Sequence, residues 1–224
     1  MTALISILIA NYNHGKYLSR CLRSLLSQKI HKNSYKIIVV DDASNDESRL
    51  ILDSYKESIN IIKNKKRLGL PASLNKGLKE IKTPFFVRVD ADDYVNEYFL
   101  IFLINFIQLN QYMDAVAVDY YLVDEKEKII ERVNCLKKPI GCGIIFRIDQ
   151  IIQIGMYDKS FLLHEDKDLM FRFLKKFKIH RLELPLYRYR QHENNITKNK
   201  KNDKKFKKKL LLKNRNQLRG YSNF

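Results

Sequence analysis

The sequence predicts an α/β protein with a mostly parallel central sheet flanked by helices, and three observations carry that expectation. Short apolar runs alternate with apolar residues at helical spacing through the first half, which implies strand–helix–strand units whose helices cover both sheet faces. The apolar runs end in polar clusters, at Asn11-Tyr12-Asn13, Asp41-Asp42 and the acids Asp90, Asp92 and Asp93. Open sheets of this kind bind ligands beyond the carboxyl ends of their strands, so the three clusters are expected to line one crevice. With 224 residues, 45% of them hydrophobic, and only seven glycines and four prolines, the chain can fill one substantial core and has little material for long flexible linkers.

Residues 4–10, 36–40, 60–62 and 85–89 read as strands. Tyr17, Leu18, Cys21, Leu22, Leu25 and Leu26 recur at helical spacing, Ile51, Leu52 and Tyr55 mark a second helix, and residues 71–78 a third. Asp46 precedes the second helix as an N-cap residue. An apolar helix is expected over residues 96–111, strands over 115–123, 128–133 and 143–146, a helix over 165–176, and extended segments over 178–182 and 186–190. Residues 1–197 are expected to form the folded domain, divided near residue 95 into two halves, with residues 198–224 a basic tail outside the core.

The most informative stretch is Val89-Asp90-Ala91-Asp92-Asp93, where a buried-strand pattern stops in three carboxylates. Alternation along a strand would set Asp90 and Asp92 on one side. Carboxylates packed that closely repel unless a cation neutralises them, and hard divalent ions such as Mg²⁺ or Mn²⁺ take such oxygen ligands.

The net charge is +17, and residues 198–219 supply +10 of it, with eleven lysines and arginines against Asp203. Such a tail points to an anionic partner. Phe206, Leu210 and Leu218 recur at multiples of four with Leu211 beside them. That spacing suits a helix lying on an anionic membrane surface. Nucleic acid is not the expected partner, because the basic residues gather in a tail instead of alternating with aromatics on a sheet face. Residues 1–10 lack a basic leader, and the apolar residues 98–109 fall short of the ~20 needed to span a bilayer. Cys21, Cys135 and Cys142 lack metal-ligand spacing and suit a reducing compartment. The expected location is cytoplasmic, peripheral on the membrane.

Taken in order, Ser6-Ile7-Leu8-Ile9-Ala10-Asn11-Tyr12-Asn13, Ile38-Val39-Val40-Asp41-Asp42-Ala43-Ser44-Asn45-Asp46, Asn75-Lys76-Gly77, Val89-Asp90-Ala91-Asp92-Asp93, Glu165-Asp166 and His192 resemble the family 2 glycosyltransferases. The resemblance runs from about residue 4 to 197. It implies the GT-A fold, with a Rossmann-like nucleotide-binding half followed by an acceptor-binding half. It also implies a nucleotide-sugar donor, an acceptor hydroxyl on a glycan or lipid-linked molecule, and Mn²⁺ or Mg²⁺ as cofactor.

Carried over position by position, the resemblance lays the donor along Ala10, Tyr12, Asp41, Asp42, Arg67, Asp90 and Asp92. Tyr12 would stack on the base. Asp42 would accept the ring N–H of a uracil-type base, with Asp41 sharing that role or capping the loop. Gly69 and Asn75 would pass beneath the nucleotide, and Arg67 would contact the diphosphate. Asp92 would hold the metal with Asp93 and His192, and Asp90 would face ribose or sugar hydroxyls. Asp166 would be the general base of an inverting transfer, while an acid at a helix start also satisfies the helix dipole. His164 departs from the pattern, which often has glycine there. The expected product is a surface glycan such as lipopolysaccharide, capsule or glycolipid. A nucleotidyltransferase of related fold is the rival reading, although no glycine-rich phosphate loop is present.

Overall fold

The computed structural model describes residues 3–193 and 200–213. Its elements run β1 (Ile5–Asn11), α1 (Gly15–Leu26), a 3-10 turn (Lys32–Ser34), β2 (Tyr35–Asp41), α2 (Ser48–Ser54), β3 (Asn60–Lys63), α3 (Leu70–Glu80) and β4 (Phe85–Arg88). The second half continues with β5 (Tyr94–Val95), α4 (Phe99–Leu109), β6 (Ala115–Val123), β7 (Ile129–Val133), β8 (Ile144–Arg147), α5 (Ile148–Gln153), α6 (Glu165–Leu174), β9 (Ile179–Arg190) and α7 (Lys200–Lys213). Every expected strand and helix is present. Sequence reading missed the 3-10 turn, α5 and the two-residue β5, all too short to show a period.

One sheet runs β3-β2-β1-β4-β8-β6-β9-β5, with β7 added to β6. The N-terminal block β3-β2-β1-β4 is parallel; β8 joins antiparallel to β4 and β6, and β6 pairs parallel with β9. The helices bury their apolar faces on this sheet. Leu18, Cys21, Leu22 and Leu25 of α1 and Phe99, Leu100, Leu103 and Ile107 of α4 are all fully buried, so Cys21 is a core residue as expected. The two extended segments predicted after residue 177 are one strand, β9. Its register slips against β6 around Asp119, which pairs with Pro185, because proline donates no ladder hydrogen bond.

Register places the site. Asn11 and Asp41 sit opposite each other at the ends of β1 and β2. β4 pairs with β1 only as far as Arg88, opposite Leu8. The acids that follow therefore leave the ladder, and the amide of Asp93 closes a turn by donating to the carbonyl of Asp90. Strand alternation therefore does not place these acids: the turn does, bringing ligand atoms of Asp90 and Asp93 within 4.8 Å of each other while Asp90 and Asp92 line one cavity.

The tail also departs from expectation. α7 is a helix, as its spacing predicts, but Phe206 and Leu210 are buried in a satellite cluster with Phe161, Leu163 and Phe171. Its apolar edge faces the body, not a membrane, so this part of the chain is not outside the core. Leu211 and Leu212 remain exposed, while Leu218 lies outside the described residues, as do 194–199 and 214–224. Phe206→Ala is expected to lower stability by about 3 kcal/mol in urea unfolding, against under ~0.5 kcal/mol for the exposed Leu211→Ala. Equal, small effects would mean that α7 is not docked in solution.

Candidate active site

At the ends of β1 and β2, Asn11 Nδ2 donates to Asp41 Oδ1 (3.0 Å) and to Ser44 Oγ (3.0 Å), and the Ser44 hydroxyl donates to the same Asp41 oxygen (2.5 Å). These bonds fall on Oδ1 and leave the second oxygen of Asp41. Asp42 is committed differently. Its Oδ1 accepts from Asn64 Nδ2 and the amide of Leu68, and its Oδ2 from the amide of Gly69, all at 2.8 Å. Burial raises the Asp42 carboxyl, but these donors outweigh it and hold the acid below its ordinary value. Asp42 thus ties down the loop before α3, where Gly69 takes a left-handed φ of +90°. Of the two buried acids, Asp42 thus accepts hydrogen bonds on both oxygens and Asp41 on Oδ1.

Arg67 lies with its guanidinium 4.0 Å from the Tyr12 ring centroid, a cation–π stack. It covers a face of the Tyr12 ring, where a base was expected to stack, and does not line the cavity that holds Asp90 and Asp92. Asn75 exchanges two hydrogen bonds with the backbone of Tyr157 (2.7 and 2.9 Å), joining α3 to the second half of the chain. Asp46 accepts from the amides of Gly15 and Ser48, bracing the starts of α1 and α2, although the N-cap position of α2 is Glu47, one residue further on.

Beyond β4, a buried cation organises the acids. Arg88 grips Asp90 with two nitrogens (2.7 and 3.1 Å) and reaches Glu165 with a third (2.9 Å). Asp93 is buried: it accepts the Tyr187 hydroxyl (2.6 Å) and the Arg190 amide (2.8 Å) from β9. Burial, then the charges of Asp92 and Asp90, push its carboxyl well up. Asp92 turns toward His192, whose Nε2 lies 2.9 Å from Oδ2. That imidazole stacks on Tyr17 at 4.9 Å, with His14 6.4 Å away. Burial raises Asp92, but the His192 hydrogen bond and the His14 and His192 charges bring it below its ordinary value.

On the facing side, His164 takes a left-handed φ of 63° just before α6. That conformation explains why a glycine suits this position, and why histidine here is a departure with a backbone cost. The turn delivers Glu165 inward to Arg88 and sets Asp166 beside Gly141. A Cβ on Gly141 would stand 2.5 Å from the Cβ of Asp166, so only glycine lets this loop pass. Burial pushes Glu165 up to about 7, opposed by Arg88 and reinforced by the charge of Asp166.

These groups meet around one cavity of about 330 Å³, lined by Ala10, His14, Arg88, Asp90, Asp92, Gly141, Glu165, Asp166 and Lys207 among others. Of the expected site residues it gathers Ala10, Asp90, Asp92 and Asp166, while Tyr12, Asp41, Asp42, Arg67, Asp93 and His192 lie outside its lining. His14, Arg88 and Lys207 were missed. His14 carried a usable signal, standing three residues past the end of β1; the other two depend on contacts remote in sequence.

The donor set suits a hard divalent ion at Asp92 with His192: a carboxylate on the cavity wall, with an imidazole nitrogen in contact. Asp93, the third expected ligand, is buried outside the cavity lining, with one hydrogen bond on each oxygen from Tyr187 and Arg190. Ligand atoms of Asp90, Asp93 and Cys142 do lie within 4.8 Å of one another. Burial pushes the Cys142 thiol well up, however. A protonated thiol is a poor ligand for Mg²⁺ or Mn²⁺.

A profile described as Glycosyl transferase family 2 matches residues 6–221, and the chain belongs to that family. The poly(ribitol-phosphate) beta-glucosyltransferase of Bacillus spizizenii is 40% identical over 111 residues, 48% of this chain and 18% of that protein. The chain spans between 18% and 66% of the length of the first three curated relatives it matches. Two solved structures share the GT-A fold. Staphylococcus aureus TarS 1–349 in complex with UDP-GlcNAc has a TM-score of 0.74 at 22% identity, covering 86% of this chain and 60% of that one. The mannosyltransferase PcManGT of Pyrobaculum calidifontis, in complex with GDP-Man and Mn²⁺, has a TM-score of 0.75 at 12% identity, covering 95% and 64%. No helix among the described residues is long and apolar enough to cross a membrane.

Proposed function

We propose that this chain is a metal-dependent, inverting transferase that moves a sugar from a UDP-sugar to a hydroxyl of a cell-surface glycan. The observation that carries this reading is the shared cavity, with Asp90 and Asp92 on one wall and Asp166 on the other. An acceptor hydroxyl between the walls would attack the anomeric carbon as Asp166 takes its proton, and the nucleoside diphosphate would leave from the opposite side. An ordinary aspartate (pKa ~3.9) is a weak base, so proton transfer accompanies attack. Holding both substrates in one enclosed space removes much of the entropic barrier. A Mn²⁺ or Mg²⁺ ion held by Asp92 and His192 would offset the charge gathering on the departing diphosphate.

Asp41 and Tyr12 form the base slot in this reading, with Arg67 giving up its place on the ring as the nucleotide enters. The second oxygen of Asp41 would take the N3–H of uracil, which cytosine lacks and a purine cannot present in the same place. Competition against labelled UDP should show UDP binding about tenfold tighter than CDP or GDP, a preference that Asp41→Ala removes. Tighter binding of GDP or CDP would overturn the base assignment. Screening nucleotide-sugars for slow hydrolysis without acceptor tests the class of donor directly. The exposed Lys208, Leu211 and Leu212 are what this reading leaves for contact with an anionic membrane, detectable as salt-sensitive binding to anionic liposomes.

A further inference from the structure

We propose that the hairpin tip between β6 and β7 positions the metal-binding pair through two arms. Glu125 holds Tyr17, which orients the His192 imidazole, and Glu127 holds Arg190, which fixes Asp92. The inference rests on the metal assignment of the transferase reading and adds to it residues from a loop that belongs to none of the motifs of the site.

Both arms start from one turn. The amide of Asp124 donates to the carbonyl of Lys128 (3.0 Å), and Asp124 Oδ1 accepts from the amides of Lys126 and Lys128, both at 2.9 Å. Within this turn Glu127 takes a left-handed φ of 65°, a conformation that favours glycine or asparagine over a long side chain. What glutamate supplies there is a carboxylate between two arginines: Oε1 accepts from Arg190 Nη2 (2.9 Å) and from Arg20 Nε (3.1 Å). Arg190 is buried and passes the constraint on. Its Nε donates to the carbonyl of Asp92 (2.9 Å), and its amide to Asp93 (2.8 Å).

The other arm runs through α1. Glu125 Oε1 accepts the Tyr17 hydroxyl (3.0 Å), the Tyr17 ring stacks on His192 at 4.9 Å, and the Arg190 guanidinium stands 5.1 Å from the centroid of the same ring. The arms therefore converge on one contact, His192 Nε2 to Asp92 Oδ2 at 2.9 Å. An imidazole whose ring plane is already fixed gives up less side-chain freedom when it binds a cation. A flat ring inclined by only 29° supplies that restraint without competing for a ring nitrogen. Arg20 and Glu127 are partly exposed, and such pairs add little to stability by their charge alone. Their weight is in the geometry they impose.

The test is the affinity of the full chain for Mn²⁺, read by electron paramagnetic resonance without nucleotide. Tyr17→Leu and Glu127→Asn should each weaken Mn²⁺ about tenfold, while Tyr17→Phe, which keeps the stacked ring, should retain most of the affinity. Asparagine suits the left-handed backbone but is shorter than glutamate, so Glu127→Asn keeps the turn and loses the arm. In a His192→Ala background, Tyr17→Leu should change affinity by no more than about twofold, because its effect passes through the imidazole. A ring that merely supports the fold would cost the same in both backgrounds. That equal loss, or unchanged Mn²⁺ affinity in either variant, would overturn the proposal and leave the transferase reading intact. Should Tyr17→Leu not fold, Glu127→Asn decides alone. If the wild type binds no Mn²⁺, the metal assignment itself falls.

Discussion

Asp92→Asn is expected to lower sugar transfer by about 10²–10³-fold and to abolish any stimulation by Mn²⁺. The substitution keeps the shape of the side chain and removes the charge on which a hard cation depends. In the folded protein that charge is favoured: despite burial, His192 and His14 hold the Asp92 carboxyl below its ordinary value. Asp92 is also the acid of the trio that meets an imidazole, while Asp90 is gripped by Arg88 and Asp93 is bonded to β9. Replacing Asp93 should therefore act mainly on stability, by leaving the Tyr187 hydroxyl and the Arg190 amide without their acceptor. Mn²⁺ affinity, read by electron paramagnetic resonance, should fall in Asp92→Asn and less so in His192→Ala. Full wild-type activity in excess EDTA would sink the metal assignment.

Much of this arrangement could be read from the chain because the information is local. Alternating apolar runs mark β1 to β4, and the polar clusters that end them are the residues that come to the crevice. A left-handed turn at position 164 was foreshadowed by the glycine that the family pattern carries there. What could not be read is what joins residues remote in sequence. Arg88 meets Glu165 across 77 positions, and Tyr187 meets Asp93 across 94. Neither pairing leaves a period or a spacing. The partners of Asp42 were hidden for the same reason, since its carboxylate accepts from amides 26 and 27 residues further on. The tail misled through its composition: only the fold reveals that Phe161, Leu163 and Phe171 form a docking site for its apolar edge.

Asp166→Asn should leave UDP affinity within about twofold of wild type and reduce transfer by ~10²-fold or more. The amide fills the same space beside Gly141 and can still accept the hydrogen bond that Asp166 takes from the amide of Lys167 (2.8 Å). It cannot take a proton from an acceptor hydroxyl. A residue serving only as a helix start would behave differently, since asparagine is nearly as good there and transfer would persist. The neighbouring acid supplies an independent check. Glu165 is pushed up to about 7 by burial, against the pull of Arg88. As pH rises through that value it loses its proton, and its ion pair with Arg88 becomes fully charged, anchoring the start of α6 from which Asp166 projects. Transfer should therefore climb as pH rises through about 7, and Glu165→Gln should erase that inflection while retaining measurable turnover. Calorimetry with UDP and a transfer assay on one preparation separate binding from chemistry. Near-wild-type transfer by Asp166→Asn would return this aspartate to a purely structural role and leave the proton of the acceptor hydroxyl to another group on the cavity wall.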